Sequence, residues 1–99
     1  MTRTFLVSVA IGPKYEQRLP QMRARLNAST GIDVLLLWSR YDVTSDSLYQ
    51  RHAATFDWME RTYRRRYRYR PYCALFKPVV LWRAFEMASE GDVVLWIDA

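Results

Sequence analysis

Residues 78–97 read PVVLWRAFEMASEGDVVLWI. This stretch contains the clearest helix pattern of the chain, followed by an apolar run. Proline suits the first position of a helix, and the apolar residues after it recur at helical spacing, so we expect a helix over residues 78–89 that begins at Pro78. Gly91 follows this helix, and glycine commonly ends one. The uninterrupted apolar residues 93–97 then indicate a strand that is buried on both faces, as in a parallel sheet.

Two more strands are predicted upstream of this unit. Residues 5–11 are rich in β-forming side chains and stop at Gly12. Residues 33–38 read DVLLLW, and this continuous apolar run also predicts a strand that is buried on both faces. The chain therefore contains three candidate strands for one parallel sheet.

The segments between the strands are expected to be helices and loops. The first helix is indicated by apolar residues four, three and four positions apart, and Pro20 either kinks this helix or starts it. Residues 39–46 are polar and are expected to form a loop, followed by a helix over residues 47–54. Residues 56–58 fit either a continuation of that helix or a short strand. The apolar residues of the first helix are Tyr15, Leu19, Met22 and Leu26.

The order of elements is strand, helix, strand, helix, helix, strand. This alternation predicts an α/β fold with a mostly parallel sheet and right-handed crossovers. Ligands of such sheets bind beyond the carboxyl ends of the strands, and that rule selects residues 11–14, 39–42 and 98–99. The sequence Gly12-Pro13-Lys14 matches neither a Walker motif nor a dinucleotide fingerprint. Nucleotide binding would therefore need a different kind of site.

Asp98 is the first candidate residue for such a nucleotide-binding site, because it places a carboxylate at the end of an apolar strand. The alternative is an ordinary aspartate at a strand end or a helix N-cap. Lys77 is the second candidate. If the helix extends back through Lys77, the ammonium lies on the apolar face; if Pro78 starts the helix, Lys77 lies at its amino end. Both geometries point to an anionic partner, and the alternative is a snorkelling lysine or an ion pair with a structural carboxylate.

Residues 76–86 (FKPVVLWRAFE) and 91–99 (GDVVLWIDA) resemble a recurring pattern of GT-A glycosyltransferases, in the galactosyl/mannosyl transferase and glycogenin-like families. In that pattern a lysine begins a helix, and a later apolar strand ends in the acidic D-x-D motif. Lys77 matches the lysine, and residues 95–99 (LWIDA) match the first part of the motif. The second aspartate would follow Ala99.

The resemblance implies a Rossmann-like GT-A sandwich, of which residues 1–99 would be the N-terminal, nucleotide-sugar-binding part of a single domain. It implies an enzyme that transfers a sugar from a nucleotide-diphosphate sugar to a glycan, lipid or protein acceptor. Mn²⁺ or Mg²⁺ would be the cofactor, with Asp98 as a metal ligand. Residues 1–99 alone would be inactive, and no catalytic residue is indicated. The implied donor-binding residues are Lys77, Ile11, Gly12, Ser39, Asp98 and Ala99.

A different function is suggested by the charge pattern. The net charge is +5, and six of the thirteen arginines fall between Arg61 and Arg70, interleaved with tyrosines. Residues 61–72, from Arg61 to Tyr72, are expected to form a loop. Its arginines could bind the phosphates of single-stranded nucleic acid, and its tyrosine rings could stack on the bases. A solvated basic loop is the plain alternative, and a third possibility is an unrelated α/β domain with a structural or partner-binding role.

The remaining features bear on the compartment. The single cysteine, Cys73, excludes a disulfide within the chain and fits a reducing environment, so a cytoplasmic protein is expected. No apolar run reaches the length of a membrane span, which requires about 18 residues.

Overall fold

The computed structural model describes residues 2–29, 31–67 and 72–98. Within these ranges the chain forms three strands and six helices, which follow one another along the chain. These elements are β1 Thr4–Ala10, α1 Pro13–Glu16, α2 Leu19–Asn27, β2 Val34–Ser39, α3 Arg40–Ser45, α4 Ser47–Arg51, α5 Ala53–Tyr67, α6 Tyr72–Met87 and β3 Val93–Trp96.

The three strands form one parallel sheet in the order β2-β1-β3. Val7 of the central strand lies opposite Leu36 on one side and Trp96 on the other. Each crossover between neighbouring strands contains helices, as parallel pairing requires. The predicted α/β class and the parallel sheet are therefore confirmed.

The core forms where β1 packs against α6. β1 is buried along nearly its whole length, and its residues alternate between the two faces of the sheet. Phe5, Val7 and Val9 join Phe76 and Val80 of α6 in one cluster. Alternation turns the intervening side chains of β1 to the opposite face, where α2 packs against β2. The central strand thus has helices on both sides.

The two outer strands are less buried than their apolar sequences predict. In β2 only Leu37 is fully buried, and in β3 the side chains of Val93 and Leu95 are 47% and 45% exposed. The prediction that both strands are buried on both faces is wrong for the described structure. Both strands lie at the edges of a three-stranded sheet, so each has one neighbouring strand. Their side chains are therefore only partly covered by the rest of the chain.

Helix α6 begins at Tyr72 and contains Pro78 in its interior, so the prediction that Pro78 occupies the first helical position is wrong. An interior proline costs about 3 kcal/mol because it removes one hydrogen bond and crowds the preceding turn. The extension toward Tyr72 brings Phe76 onto the same face as Val79 and Val80, and all three are fully buried. Burying a phenylalanine side chain stabilises the fold by about 1.5–3 kcal/mol, which offsets most of that cost.

Two segments that were expected to be loops are helical. Residues 40–45 form α3, whose N-cap Ser39 exchanges hydrogen bonds with Asp42 in a capping box. Residues 61–67 belong to α5, where Arg61 forms an ion pair with Asp57 one turn earlier. Residues 68–71 lie outside the described residues. Helix α2 begins at Leu19 and has Pro20 in its first turn, so the proline lies at the start of the helix and does not kink it.

A partly buried ion pair joins α4 to α6. Arg83 Nε donates to Asp46 Oδ2 at 2.6 Å, and a second nitrogen of the guanidinium donates to Glu86. Asp46 is also the N-cap of α4, where its other oxygen accepts from the backbone N–H of Leu48 at 2.8 Å. One carboxylate therefore caps a helix and holds it against its neighbour.

Candidate functional site

The carboxyl ends of the three strands lie at one edge of the sheet. Ala10 pairs with Ser39, so β1 and β2 end level with each other. Trp96 pairs with Val7, so β3 ends lower, and the chain continues through Ile97, whose N–H donates to the carbonyl of Val7 at 3.1 Å. The residues that follow each strand therefore share this edge, which is where ligands of open α/β sheets bind.

Lys77 lies within α6, so the first of its two expected geometries is the one observed. Its ammonium nitrogen is 4.4 Å from the centre of the Trp96 ring, and its side chain is partly buried. A cation over the face of a tryptophan is stabilised by about 0.5–2 kcal/mol, depending on how far it is desolvated. The ring therefore supports a positive charge on the α6 side of β3.

The same tryptophan contacts Asp98. Trp96 Nε1 donates a hydrogen bond to Asp98 Oδ1 at 2.9 Å. Residues two apart in an extended chain lie on the same side of it, so the indole N–H can reach the carboxylate. Asp98 is exposed, and this single bond leaves its second oxygen available to a cation or a hydroxyl group. Lys77, Trp96 and Asp98 therefore form one contiguous group, which we call the lysine–tryptophan–aspartate cluster.

The other implied donor-binding residues lie at the same edge with visible structural roles. Ile11 is almost fully buried and belongs to the core cluster. Gly12 has a φ of +96°, which favours glycine, and its carbonyl accepts from the N–H groups of the first turn of α1. The hydroxyl of Ser39 is engaged in the capping box of α3. Ala99 lies outside the described residues.

Further charged and aromatic groups gather beside this edge. Two cations lie near the Tyr15 ring, with Lys14 at 5.8 Å and Arg18 at 5.5 Å from the ring centre. Glu16 accepts a hydrogen bond from the backbone N–H of Arg40 at 2.9 Å, which ties the segment after β1 to the start of α3. These links hold the segments that follow β1 and β2 close together.

Trp96 lies in the predicted strand over residues 93–97 and is not among the site residues predicted from the sequence. Its ring does pack against the core cluster, but its N–H and its ring face also serve Asp98 and Lys77. The signal available in the sequence was the spacing of two residues between an indole donor and a carboxylate at a strand end. Lys77, nineteen positions before Trp96, is brought to the ring only by packing of α6 on the sheet.

The lysine–tryptophan–aspartate cluster offers one carboxylate, that of Asp98, as a ligand for a divalent cation. Among the described residues no group of three or more His, Cys, Asp or Glu side chains is arranged to hold a metal. Mg²⁺ in phosphate-transferring sites is commonly held by one or two carboxylates together with substrate phosphates and water. Asp98, with one oxygen fixed by Trp96, fits the role of a single protein ligand in such a site.

Comparisons with protein-family models, with curated proteins and with solved structures give no match for this chain. No helix in the described ranges has the length and apolar character needed to cross a membrane. The lysine–tryptophan–aspartate cluster and its position at the sheet edge are therefore the observations from which a function can be argued.

Proposed function

We propose that this chain is the nucleotide-sugar-binding part of a metal-assisted glycosyltransferase with a Rossmann-like GT-A fold. The observation that carries the proposal is the contact of Lys77 and Asp98 with the same Trp96 ring. The two residues on which the resemblance rests are 21 positions apart in the chain and contact one side chain. The parallel sheet and its carboxyl edge are compatible with this fold.

The chemistry of the donor explains why a cation and a carboxylate would be paired there. When a nucleotide-diphosphate sugar loses its sugar, the leaving diphosphate gains negative charge. A bound Mn²⁺ or Mg²⁺ stabilises such a leaving group by contacting its phosphate oxygens. Asp98 would hold that cation, and Lys77 would donate a charge-assisted hydrogen bond to the diphosphate. Trp96 keeps both side chains oriented before the donor arrives.

The acceptor class is open to a glycan, a lipid or a protein. The described residues of the carboxyl edge include a lysine, a carboxylate and the polar segments that follow β1 and β2. These groups would bind the donor, so donor binding is the step to test with this chain.

Donor binding is tested by titrating the chain with Mn²⁺ and a panel of nucleoside diphosphates, including UDP, GDP and ADP. Mn²⁺ is paramagnetic and broadens NMR signals near its site. We expect the indole N–H signal of Trp96 to broaden selectively, and to do so at lower Mn²⁺ concentration when the preferred diphosphate is present. Trp96→Phe assigns the signal among the four tryptophans.

The matched control is Asp98→Asn, which keeps the hydrogen-bond acceptor for Trp96 and removes the charge. This variant should keep the fold and lose the selective broadening. Equal broadening of all exposed tryptophans, or unchanged binding in Asp98→Asn, would remove Asp98 from the proposal. A labelled single-stranded oligonucleotide should bind weakly in parallel; tight binding that falls steeply with salt would instead favour nucleic-acid recognition.

A further inference from the structure

A second concave surface lies on the opposite side of the sheet from α6. It is a groove of about 340 Å³ between α2 and the end of β3. Ile97 faces it, because side chains alternate along the strand and the preceding Trp96 packs on the α6 side. We call this surface the α2–β3 groove. Its lining residues are Arg18, Gln21, Met22, Arg25, Leu26 and Ile97.

The groove combines an apolar floor with two cations. Met22, Leu26 and Ile97 supply the floor, while the exposed Arg18 and Arg25 flank it. Within the described part of the chain, neither guanidinium forms an ion pair with a carboxylate; Arg18 instead lies over the Tyr15 ring. The two arginines are seven residues apart, which corresponds to roughly 10 Å along a helix axis. The groove therefore offers two separate positive charges on side chains that start about two helical turns apart.

The apolar surface continues beyond the groove along β3. Val93 and Leu95 lie on the same side of the strand as Ile97, and both are nearly half exposed. Side chains at every second position of a strand share one face of the sheet, so these apolar side chains form a continuous patch there. Patches of this kind with a charged rim are typical of interaction sites.

We propose that the α2–β3 groove docks an amphipathic helix of a partner protein that carries two carboxylates seven residues apart and apolar side chains between them. Carboxylates two helical turns apart match the separation of Arg18 and Arg25, so both ion pairs can form at once. The intervening apolar side chains then meet Met22, Leu26 and Ile97. A small ligand with one anionic group would reach only one of the arginines.

A second copy of this chain does not offer that pattern. The described helices contain five acidic residues, and no two of them on one helix are seven positions apart. The chain also has a net charge of +5, so two copies repel each other overall. Charge complementarity therefore points to an acidic partner. The acidic residues on described helices are Glu16, Asp42, Asp57, Glu60 and Glu86.

The probe for this site is a fluorescein-labelled helical peptide with two Glu residues seven positions apart, Leu at the positions between them on the same face, and Ala and Gln elsewhere. Fluorescence anisotropy measures its affinity for the full chain. We expect the double variant Arg18→Glu/Arg25→Glu to bind at least about tenfold more weakly, because two attractive contacts become repulsive. A peptide with Lys in place of both Glu residues should show the opposite preference.

The matched control is Arg51→Glu/Arg61→Glu, which makes the same change in net charge on α4 and α5, on the other side of the sheet. It should bind the Glu peptide within about threefold of the unaltered chain, because exposed charges at a distance are screened by salt. Equal loss in the two double variants would show general charge attraction and overturn the proposal. Unchanged affinity of a peptide with Ser in place of Leu would also overturn it, as would binding to phosphatidylserine vesicles but not to the peptide.

Discussion

The indole nitrogen of Trp96 donates a hydrogen bond to Asp98 at 2.9 Å. Trp96→Phe keeps an aromatic ring beneath Lys77 but removes this donor. We expect the free energy of unfolding to fall by no more than about 1.5 kcal/mol, the usual contribution of one hydrogen bond together with a small packing change. Mn²⁺-dependent binding of the preferred nucleoside diphosphate should weaken, because the carboxylate is no longer oriented. Calorimetric titration and urea denaturation measure the two effects; unchanged diphosphate affinity would show that the bond has no part in binding.

Lys77→Met tests the cation of the same cluster. Methionine retains an unbranched apolar stem but has no ammonium group, so the thermal midpoint should change by only a few degrees. Binding of the diphosphate should weaken by about 1.5–3 kcal/mol, the usual contribution of a hydrogen bond to a charged group. Lys77→Arg is the control that keeps the charge over Trp96 and should retain most of the affinity. A large loss of stability with unaltered binding would assign Lys77 a structural role.

The Asp46–Arg83 pair predicts a dependence of stability on pH. Burial alone would raise the pKa of Asp46, but the hydrogen bond from Arg83 and backbone N–H groups of Leu48 and Tyr49 outweighs it, so the pKa lies below the ordinary value of 3.8. A carboxyl whose pKa is lower in the folded state stabilises the fold above pH 3.8, and this contribution is lost as the pH falls through the folded-state pKa.

Asp46→Asn should therefore lower the free energy of unfolding by about 1–2 kcal/mol at neutral pH while keeping an acceptor for the helix cap. The difference from the unaltered chain should shrink when urea denaturation is repeated below pH 3.8. Glu86→Gln, at the more exposed end of the same arginine, should cost less than about 1 kcal/mol. A difference between Asp46→Asn and the unaltered chain that stays constant with pH would contradict the assigned ion pair.

Ser8 is predicted to be a site where removing a polar group stabilises the protein. Its hydroxyl is fully buried in β1 and has no hydrogen-bond partner among the described residues. A buried polar group without a partner costs about 1–3 kcal/mol, so Ser8→Ala should raise the free energy of unfolding by about 1 kcal/mol. Ser39→Ala provides the contrast, because it removes a helix cap and should lower stability by about 1 kcal/mol. Denaturant unfolding of both variants checks the opposite signs.

The strands could be predicted from sequence because two are continuous apolar runs and the first is rich in β-forming residues, and their alternation with helices favours a parallel arrangement. Their burial could not, because an apolar run does not reveal how many neighbours a strand has; Val93 and Leu95 are half exposed at an edge. The helix rule for proline failed at Pro78 because burial of Phe76 outweighed it. The polar composition of the segment after β2 favours a loop, but Ser39 and Asp42 have the spacing of a capping box, and this box starts α3.

The candidate site divides in the same way. Asp98 is predicted as a site residue because it lies at the end of an apolar strand. Lys77 is predicted because its charged side chain would lie on the apolar face of a helix. Their common contact with Trp96 depends on tertiary packing and could not be read from local spacing. The α2–β3 groove was not anticipated, since it needs Ile97 to come beside the arginines of α2.

The central position of β1 sets the order in which the sheet can assemble. β1 pairs with β2 after a short crossover, but residues 4–7 pair with residues 93–96, and Arg3 N–H donates to Asp92 Oδ1 across a separation of 89 positions. Contacts so distant in the chain form slowly, because a long loop must close before they contribute. During synthesis, one row of backbone amides on β1, the most buried strand of the sheet, therefore remains unpaired until β3 leaves the ribosome. In that interval β1 can pair with the strand of another nascent chain, so this stage of biosynthesis is exposed to aggregation.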